Sequence, residues 1–143
     1  MNEMREMHVG LTVGELMTGD PVLAHLDLPL SEAAGLMEFY RVSGLPVVDW
    51  EGRVVGVISQ TDLLHARTTE ALWHAWPGLT VRHLMTQPPV TVTTDVPVED
   101  AARLMEQLTI HRLVVTLADG ETPIGVLSVS DLVRSMAERE DEP

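Results

Sequence analysis

The sequence predicts an α+β fold built from two copies of one unit, each with the order strand, helix, strand, strand, helix. Three observations lead to this prediction. The chain contains a long internal repeat, one segment of each copy has the apolar spacing of an amphipathic helix, and a polar Ser/Thr-Asp phrase follows a strand-like run in each copy. An internal repeat determines the architecture, because each copy must form the same supersecondary unit.

The repeat consists of four phrases in the same order. They are Val-x-x-Leu-Met-Thr, then Ala-Ala-x-Leu-Met, then an apolar strand phrase, and finally Gly-Val-x-Ser-x-Ser/Thr-Asp-Leu, called here the closing phrase. They lie at 13–18, 33–37, 42–48 and 56–63 in the first copy and at 81–86, 101–105, 110–116 and 125–132 in the second. The register holds apart from one extra residue after Gly120, so the two copies should share one topology.

Each copy begins with a predicted short helix, Val13 to Met17 or Val81 to Met85, which Asp20-Pro21 or Pro88-Pro89 ends. Strands are predicted to start at Val22-Leu23 and at Val90-Thr91-Val92. The long helix of each copy has apolar residues at i, i+1, i+3, i+4 and i+7, starting from Ala33 and from Ala101, with Pro29 or Pro97 near its start. Its methionines are expected to fill the core.

A hairpin follows each long helix. Its predicted strands are Leu45 to Val48 with Val54 to Ile58, and Leu113 to Leu117 with Ile124 to Leu127. Turn residues separate the two strands of each pair. A second helix is predicted to start at each closing phrase.

The composition excludes several classes of function. The net charge is −13, and none of the nine basic residues is a lysine, so nucleic acid and membrane surfaces are disfavoured partners. The absence of cysteine and lysine excludes thiol and Schiff-base chemistry. The N-terminus lacks a signal-peptide core and no apolar run approaches about 18 residues, so we expect a cytoplasmic protein.

The closing phrase has two interpretations. Ser, Thr and Asp are the residues that cap a helix N-terminus. A carboxylate beside free N–H groups is also suited to hold a vicinal diol, and the helix end attracts phosphate. Both interpretations stay open at this point.

The four phrases together resemble a tandem pair of cystathionine-β-synthase (CBS) domains, a Bateman module, as in stand-alone two-CBS proteins. The resemblance covers Thr12 to Ser135. It implies two β-α-β-β-α repeats packed as a pseudo-two-fold module. The predicted division is a leader at 1–11, CBS domain 1 at 12–67, a helical linker at 68–79, CBS domain 2 at 80–135 and an acidic tail at 136–143.

The resemblance implies adenine-nucleotide binding (AMP, ADP or ATP) in clefts between the repeats. The closing-phrase aspartate would hold the ribose, a basic pair of the other repeat the phosphates, and apolar first-strand residues the base. One cleft would contain Val57, Ser59, Thr61, Asp62, Val90, Thr91, Ile110, His111 and Arg112. The other would contain Val22, Leu23, Val42, Ser43, Gly44, Val126, Ser128, Ser130 and Asp131.

The two clefts are predicted to differ in affinity. His111 and Arg112 are suited to phosphate, whereas their counterparts are Ser43 and Gly44. The cleft of Asp62 and Arg112 should therefore bind more tightly. Without the resemblance, a surface ion pair would explain Arg112 as well.

We expect no catalytic residue, no cofactor and no metal site, because neither a nucleophile with a base nor a metal-ligand spacing is found. The main hypothesis is a sensor that forms a homodimer and regulates a protein partner. The alternatives are a constitutive oligomerisation module with vestigial clefts, or a binder of S-adenosylmethionine or another adenosyl ligand. Leu72, Trp73 and Trp76 of the linker either pack on their own module or form a partner surface.

Overall fold

A computed structural model describes residues 11–138 of this chain. Nearly all of the predicted leader and residues 139–143 of the predicted tail lie outside the described residues. Two compact units are present, one formed by 11–20 with 90–138 and the other by Pro21–Pro89. The opening phrase at 13–18 therefore belongs to the same unit as the second copy of the repeat, and that at 81–86 to the unit of the first copy.

The described elements follow the predicted order, with one further strand at Thr18–Gly19 that the sequence did not predict. The helices are α1 Val13–Leu16, α2 Leu30–Tyr40, α3 Gln60–Thr68, α4 Glu70–Ala75, α5 Val81–Leu84, α6 Val98–Leu108 and α7 Val129–Glu138, with a 3₁₀ turn at Trp76–Gly78. The strands are β1 Thr18–Gly19, β2 Ala24–His25, β3 Gly44–Val48, β4 Val54–Ser59, β5 Thr91–Thr93, β6 Arg112–Thr116 and β7 Pro123–Ser128. The mixed α and β fold of the sequence prediction is confirmed.

Each unit has its own sheet. The strand order is β2-β3-β4 in the Pro21–Pro89 unit and β1-β7-β6-β5 in the other. The predicted hairpins are present as antiparallel pairs, β3 with β4 and β6 with β7, and the first strand of each copy pairs in parallel with the next. The sequence prediction of a strand at Val22-Leu23 is wrong by two residues, because it is Ala24 and His25 that align with Val47 and Val48 of β3.

Separate apolar clusters fill the two units. Leu30, Met37, Leu45 and Ile58 are among the fully or almost fully buried residues of one. The other contains Val13, Ala101, Met105, Leu113, Val115 and Leu127. The methionines of the helical stripe, Met37 and Met105, are 2% and 3% exposed, which confirms that they are core residues.

Aspartates close the turns of both hairpins. Asp49 Oδ1 accepts hydrogen bonds from the backbone N–H groups of Glu51 and Arg53, and Asp119 Oδ1 accepts them from Glu121 and Thr122. The Arg53 N–H above all lowers the pKa of Asp49, and the Thr122 hydroxyl above all lowers that of Asp119. Both turns are therefore held by ionised carboxylates. Each turn also contains a residue with positive φ, and that residue is a glycine, Gly52 or Gly120.

The first residue of each closing phrase is a glycine, and it packs against the Val-x-x-Leu-Met-Thr phrase of the same unit. A Cβ at Gly125 would lie 2.9 Å from the carbonyl oxygen of Thr18 and 2.5 Å from Met17 Sδ, and one at Gly56 would lie 2.8 Å from that of Thr86. Glycine inside a strand often marks such a close backbone approach. This contact explains why both copies have glycine at this position.

We expect Gly125→Ala to lower the free energy of unfolding by about 1–3 kcal/mol, the usual cost of forcing an extra carbon into a packed site. Denaturant unfolding would measure it. Gly35→Ala is the matched control, because nothing lies within 4 Å of the added Cβ in helix α2. That change should stabilise the chain by up to about 1 kcal/mol. Equal effects of the two changes would contradict the steric explanation.

Within residues 11–138, none of the helices has the length and apolar character needed to cross a bilayer. Over the same described range, no group of three or more His, Cys, Asp or Glu side chains is placed to hold a metal ion.

Candidate functional site

The first closing phrase forms a capping box at the start of helix α3. Asp62 Oδ2 accepts hydrogen bonds from the backbone N–H and the hydroxyl of Ser59 at 2.8 and 3.0 Å, and the Asp62 N–H donates to Ser59 Oγ at 3.2 Å. The reciprocal pairing satisfies two N–H groups at the start of the helix. The capping interpretation is therefore observed, and it uses one of the two carboxylate oxygens.

The other oxygen of Asp62 has a different neighbour. Thr86 Oγ1 donates to Asp62 Oδ1 over 3.4 Å, longer than the 2.5–3.0 Å usual between oxygens. This weak contact leaves Oδ1 able to accept further hydrogen bonds, so capping and ligand binding are compatible at Asp62. Thr86 was missed by the sequence analysis, although it ends the repeated opening phrase.

The second closing phrase repeats the cap with one difference. Asp131 Oδ2 accepts the N–H of Ser128 at 2.9 Å, and the Asp131 N–H donates to Ser128 Oγ at 3.2 Å. Its Oδ1 accepts a hydrogen bond from Arg134 Nη1 at 3.1 Å, and the Asp131 side chain is 6% exposed. The i, i+3 spacing on a helix was the available sequence signal for Arg134.

In each unit, the closing phrase lies beside one pair of residues. The pair is Ser43 and Gly44 in the first unit of the repeat, and the predicted basic pair His111 and Arg112 in the second. Gly44 is opposite Ser59 across the β3–β4 pair, and Arg112 is opposite Ser128 across the β6–β7 pair. The backbone repeats this juxtaposition: the N–H of Gln60 donates to the Ser43 carbonyl, and that of Val129 donates to the His111 carbonyl, both at 2.9 Å.

The remaining predicted site residues lie near these ladders. Thr91 in β5 pairs with Val114 of β6, and the Val90 carbonyl accepts the N–H of Val114. Thr61 and Ser130 are exposed in the first helical turns, and His111 is also exposed. The apolar predicted residues that are partly buried are Val22, Val42, Val57, Val90, Ile110 and Val126.

The predicted site residues thus divide into two groups, one in each unit. The Pro21–Pro89 group contains Val22, Leu23, Val42, Ser43, Gly44, Val57, Ser59, Thr61 and Asp62. The other contains Val90, Thr91, Ile110, His111, Arg112, Val126, Ser128, Ser130 and Asp131. The joint action of Asp62 with Arg112, and of Asp131 with Ser43, stays a prediction.

A shallow cavity of about 310 Å³ lies in the Pro21–Pro89 unit. Its lining residues are Met37, Glu38, Arg41, Val42, Ser43 and Gln60. Two of them are predicted site residues, and Arg41 adds a cation close to the uncharged Ser43. The charge of Glu38 opposes that of Arg41, so the cavity has no strong preference for an anion.

The two linker tryptophans differ in exposure. Trp76 packs against the core of the Pro21–Pro89 unit. Trp73 is 43% exposed, with its ring centroid 5.4 Å from that of Trp76 and the Arg67 guanidinium 4.5 Å above it. One tryptophan therefore packs on its own unit, whereas the other contributes to the surface.

Comparison with known proteins decides the family. A model of the CBS domain matches residues 13–68 and 81–138. The chain belongs to the CBS domain family. In this CBS pair, each match ends with one of the two capped helices that carry Asp62 and Asp131.

Two relatives show how the CBS pair occurs in other proteins. The chloroplastic CBSX2 protein of Arabidopsis thaliana is 31% identical over 94% of this chain and 67% of its own length. Its crystal structure in complex with AMP has a TM-score of 0.78, covering 92% of this chain and 99% of that one. The inosine-5'-monophosphate dehydrogenase of Methanocaldococcus jannaschii is 30% identical over 84% of this chain, but the match spans 22% of the enzyme.

A further solved structure is similar to this chain. It is the CBS domain pair of protein MJ0100 in complex with 5'-methylthioadenosine and S-adenosyl-L-methionine. It has a TM-score of 0.81 and 25% identity, covering 90% of this chain and 97% of that one.

Proposed function

We propose that this CBS pair is a regulatory module that binds an adenosine-containing ligand. The observation that carries the proposal is that two solved CBS pairs similar over at least 90% of this chain hold AMP in one case and 5'-methylthioadenosine with S-adenosyl-L-methionine in the other. These ligands share a ribose attached to adenine. A ribose diol is suited to a carboxylate such as Asp62, whose Oδ1 makes, within residues 11–138, only the long contact with Thr86.

AMP is our first choice of ligand for the Asp62 site. Asp62 would hold the ribose, Ser59 and Thr61 would assist, and His111 with Arg112 would bind the phosphate. The Asp131 site has Ser43 and Gly44 in place of that basic pair, so it would bind AMP more weakly. Hydrogen bonds to charged groups contribute about 1.5–3 kcal/mol each, so their loss costs about one to two factors of ten in affinity.

Regulation would follow from a difference in ligand affinity between two states of the module. A ligand shifts an equilibrium only by that difference, and the coupling is reciprocal. A regulated protein partner would therefore bind with different affinity in the presence of AMP. We assign no catalytic step to this chain, and its match to the dehydrogenase covers 22% of that enzyme.

A thermal-shift series on the wild-type chain tests the proposal. The ligands are AMP, ADP, ATP, S-adenosylmethionine and adenosine, with GMP as the control for the base. At 100 times the Kd a ligand stabilises by about 2.7 kcal/mol. For a chain of this size we expect a rise in Tm of about 5–10 °C. A flat response to millimolar concentrations of all five adenosine compounds would contradict the proposal.

An exposed apolar stripe on helix α7 favours a second candidate, a module that acts mainly by assembly. Val129, Val133 and Met136 are 39%, 57% and 69% exposed, and their i, i+4, i+7 spacing places them on one face. We propose that a second copy of the chain covers this stripe, because a self-complementary apolar patch is the simplest way to form a two-fold dimer.

We expect Val133→Glu to shift the chain from dimer to monomer in sedimentation velocity. The added charge would have to be buried against an apolar surface, which is costly for an unpaired group. Glu106→Gln on helix α6 is the control for a surface change and should leave the mass unchanged. A monomeric wild-type chain would contradict the dimer proposal. Assembly without any response to adenosine compounds would favour the second candidate over the first.

A further inference from the structure

The residue three positions after each closing-phrase aspartate differs between the units. It is His65 after Asp62 and Arg134 after Asp131. Side chains at this spacing lie on the same face of a helix, so either residue is within reach of its aspartate. Arg134 makes the contact, with Nη1 3.1 Å from Asp131 Oδ1. The ring of His65 instead places Nδ1 3.5 Å from Thr69 Oγ1.

The two carboxylates consequently differ in what they can still accept. Both use Oδ2 for the helix cap. Asp62 Oδ1 has the long contact with a neutral hydroxyl, whereas Asp131 Oδ1 is held by a guanidinium. The Asp131 side chain is 6% exposed and that of Arg134 is 64% exposed, so the cation lies at the solvent side of a buried acid.

We propose that Arg134 is a positioning residue that competes with a ribose diol for Asp131 Oδ1 and keeps the Asp131 site weak. The proposal rests on the proposed function, because it assumes that the closing-phrase aspartate holds a diol. A diol must displace a charged donor at Asp131 but only a weak neutral one at Asp62. Exposed ion pairs reach an energy that corresponds to a factor of about five in affinity.

This competition is independent of the basic pair. The contrast between Arg112 and Gly44 acts on the phosphate, whereas the contrast between Arg134 and His65 acts on the ribose. The uncharged ligand adenosine isolates the second effect. With AMP the gain from removing Arg134 should be smaller, because a cation that attracts the phosphate is removed as well.

The test exchanges the two residues in the full chain. Arg134→His and His65→Arg are titrated with adenosine and with AMP at pH 8, where an ordinary histidine is neutral. Backbone amide NMR signals of 59–63 and 128–132 report the two sites separately. We expect Arg134→His to tighten adenosine binding at 128–132 about fivefold, and His65→Arg to weaken it at 59–63 by a similar factor.

Two further variants make the test specific. Arg134→Gln should act like Arg134→His, since both remove the charge from Asp131. Arg103→Gln removes an arginine of similar exposure that pairs with Glu99 and Asp100 of helix α6, and it should change neither site. Weaker adenosine binding in Arg134→Gln would overturn the proposal, because Arg134 would then serve the ligand.

The outcomes distinguish a failure of the Arg134 inference from a failure of the proposed function. If AMP shifts the signals of 59–63 in the wild type but adenosine does not bind more tightly to Arg134→His, the inference fails and the proposed function stands. If neither AMP nor adenosine shifts either set of signals in any variant, both fail. Tighter adenosine binding at 128–132 in Arg134→His and Arg134→Gln supports both.

Discussion

Arg112→Ala is expected to weaken AMP binding about 10- to 150-fold and to leave adenosine binding nearly unchanged. A guanidinium donates charge-assisted hydrogen bonds to phosphate, and each such bond contributes about 1.5–3 kcal/mol. The protein carries a net charge of −13, so a local cation matters more for an anionic ligand. Calorimetric titration with the two ligands measures the split. A similar loss for adenosine would show that Arg112 acts through the fold and not through the phosphate.

A second experiment determines which aspartate acts together with Arg112 in ligand binding. The sequence resemblance pairs Arg112 with Asp62, whereas within its own unit Arg112 lies opposite Ser128 of the Asp131 phrase. Two double-mutant cycles separate these arrangements, one with Asp62→Asn and one with Asp131→Asn. Asparagine retains an acceptor for the helix cap and removes the charge. Coupling of Arg112→Ala with Asp62→Asn supports the predicted pairing, and coupling with Asp131→Asn alone would contradict it.

The repeat made most of the fold predictable. Aligned phrases gave the order of the elements, and the Ser-x-x-Asp spacing gave the helix starts, because a capping box needs those residue types at those positions. The strand at Ala24–His25 was placed two residues too early. Apolar character near Pro21 marks an extended segment, but strand bounds depend on which residues align with Val47 and Val48 of the next strand.

Some features depend on tertiary contacts and could not be predicted from the repeat. The opening phrase at 13–18 joins the unit of the second repeat, which depends on contacts such as the N–H of Val13 to the carbonyl of Val96 at 2.9 Å. No local sequence pattern specifies that 13–18 joins the unit of the second repeat. Gly56 and Gly125 show the same limit. Their repetition was visible in the sequence, but the reason for it is the carbonyl that covers each of them.

The residue types of the candidate site were predictable from the sequence, but the hydrogen-bond partners of its two aspartates were less so. The sequence placed acids at helix starts and a basic pair at the start of β6. It did not show that the two acids differ, since both have the same cap. The difference comes from Thr86, which is distant in sequence, and from Arg134, which one turn of helix brings to Asp131. Repeats that share the same capping residues can therefore have unequal sites.

Leu30→Ala is expected to lower the free energy of unfolding by about 2–5 kcal/mol, the usual cost of deleting a fully buried leucine. Leu30 begins helix α2, is 0% exposed and lies in the cluster that contains Leu45 and Ile58. Its loss removes apolar contacts and leaves a cavity. Stability of a whole domain is about 5–15 kcal/mol, so this change is a large share of it. Denaturant unfolding without ligand measures the effect.

Phe39→Ala is the matched control on the same helix, because Phe39 is 78% exposed and its truncation opens no cavity. Its effect on the free energy of unfolding should stay within about 0.5 kcal/mol. Leu30→Ala and Arg112→Ala should then give opposite results. The first lowers the unfolding midpoint and keeps the Kd for AMP, whereas the second keeps the midpoint and raises the Kd. A raised Kd in folded Leu30→Ala would show that the site depends on the packing of helix α2, against the separation of core from site that these two predictions require.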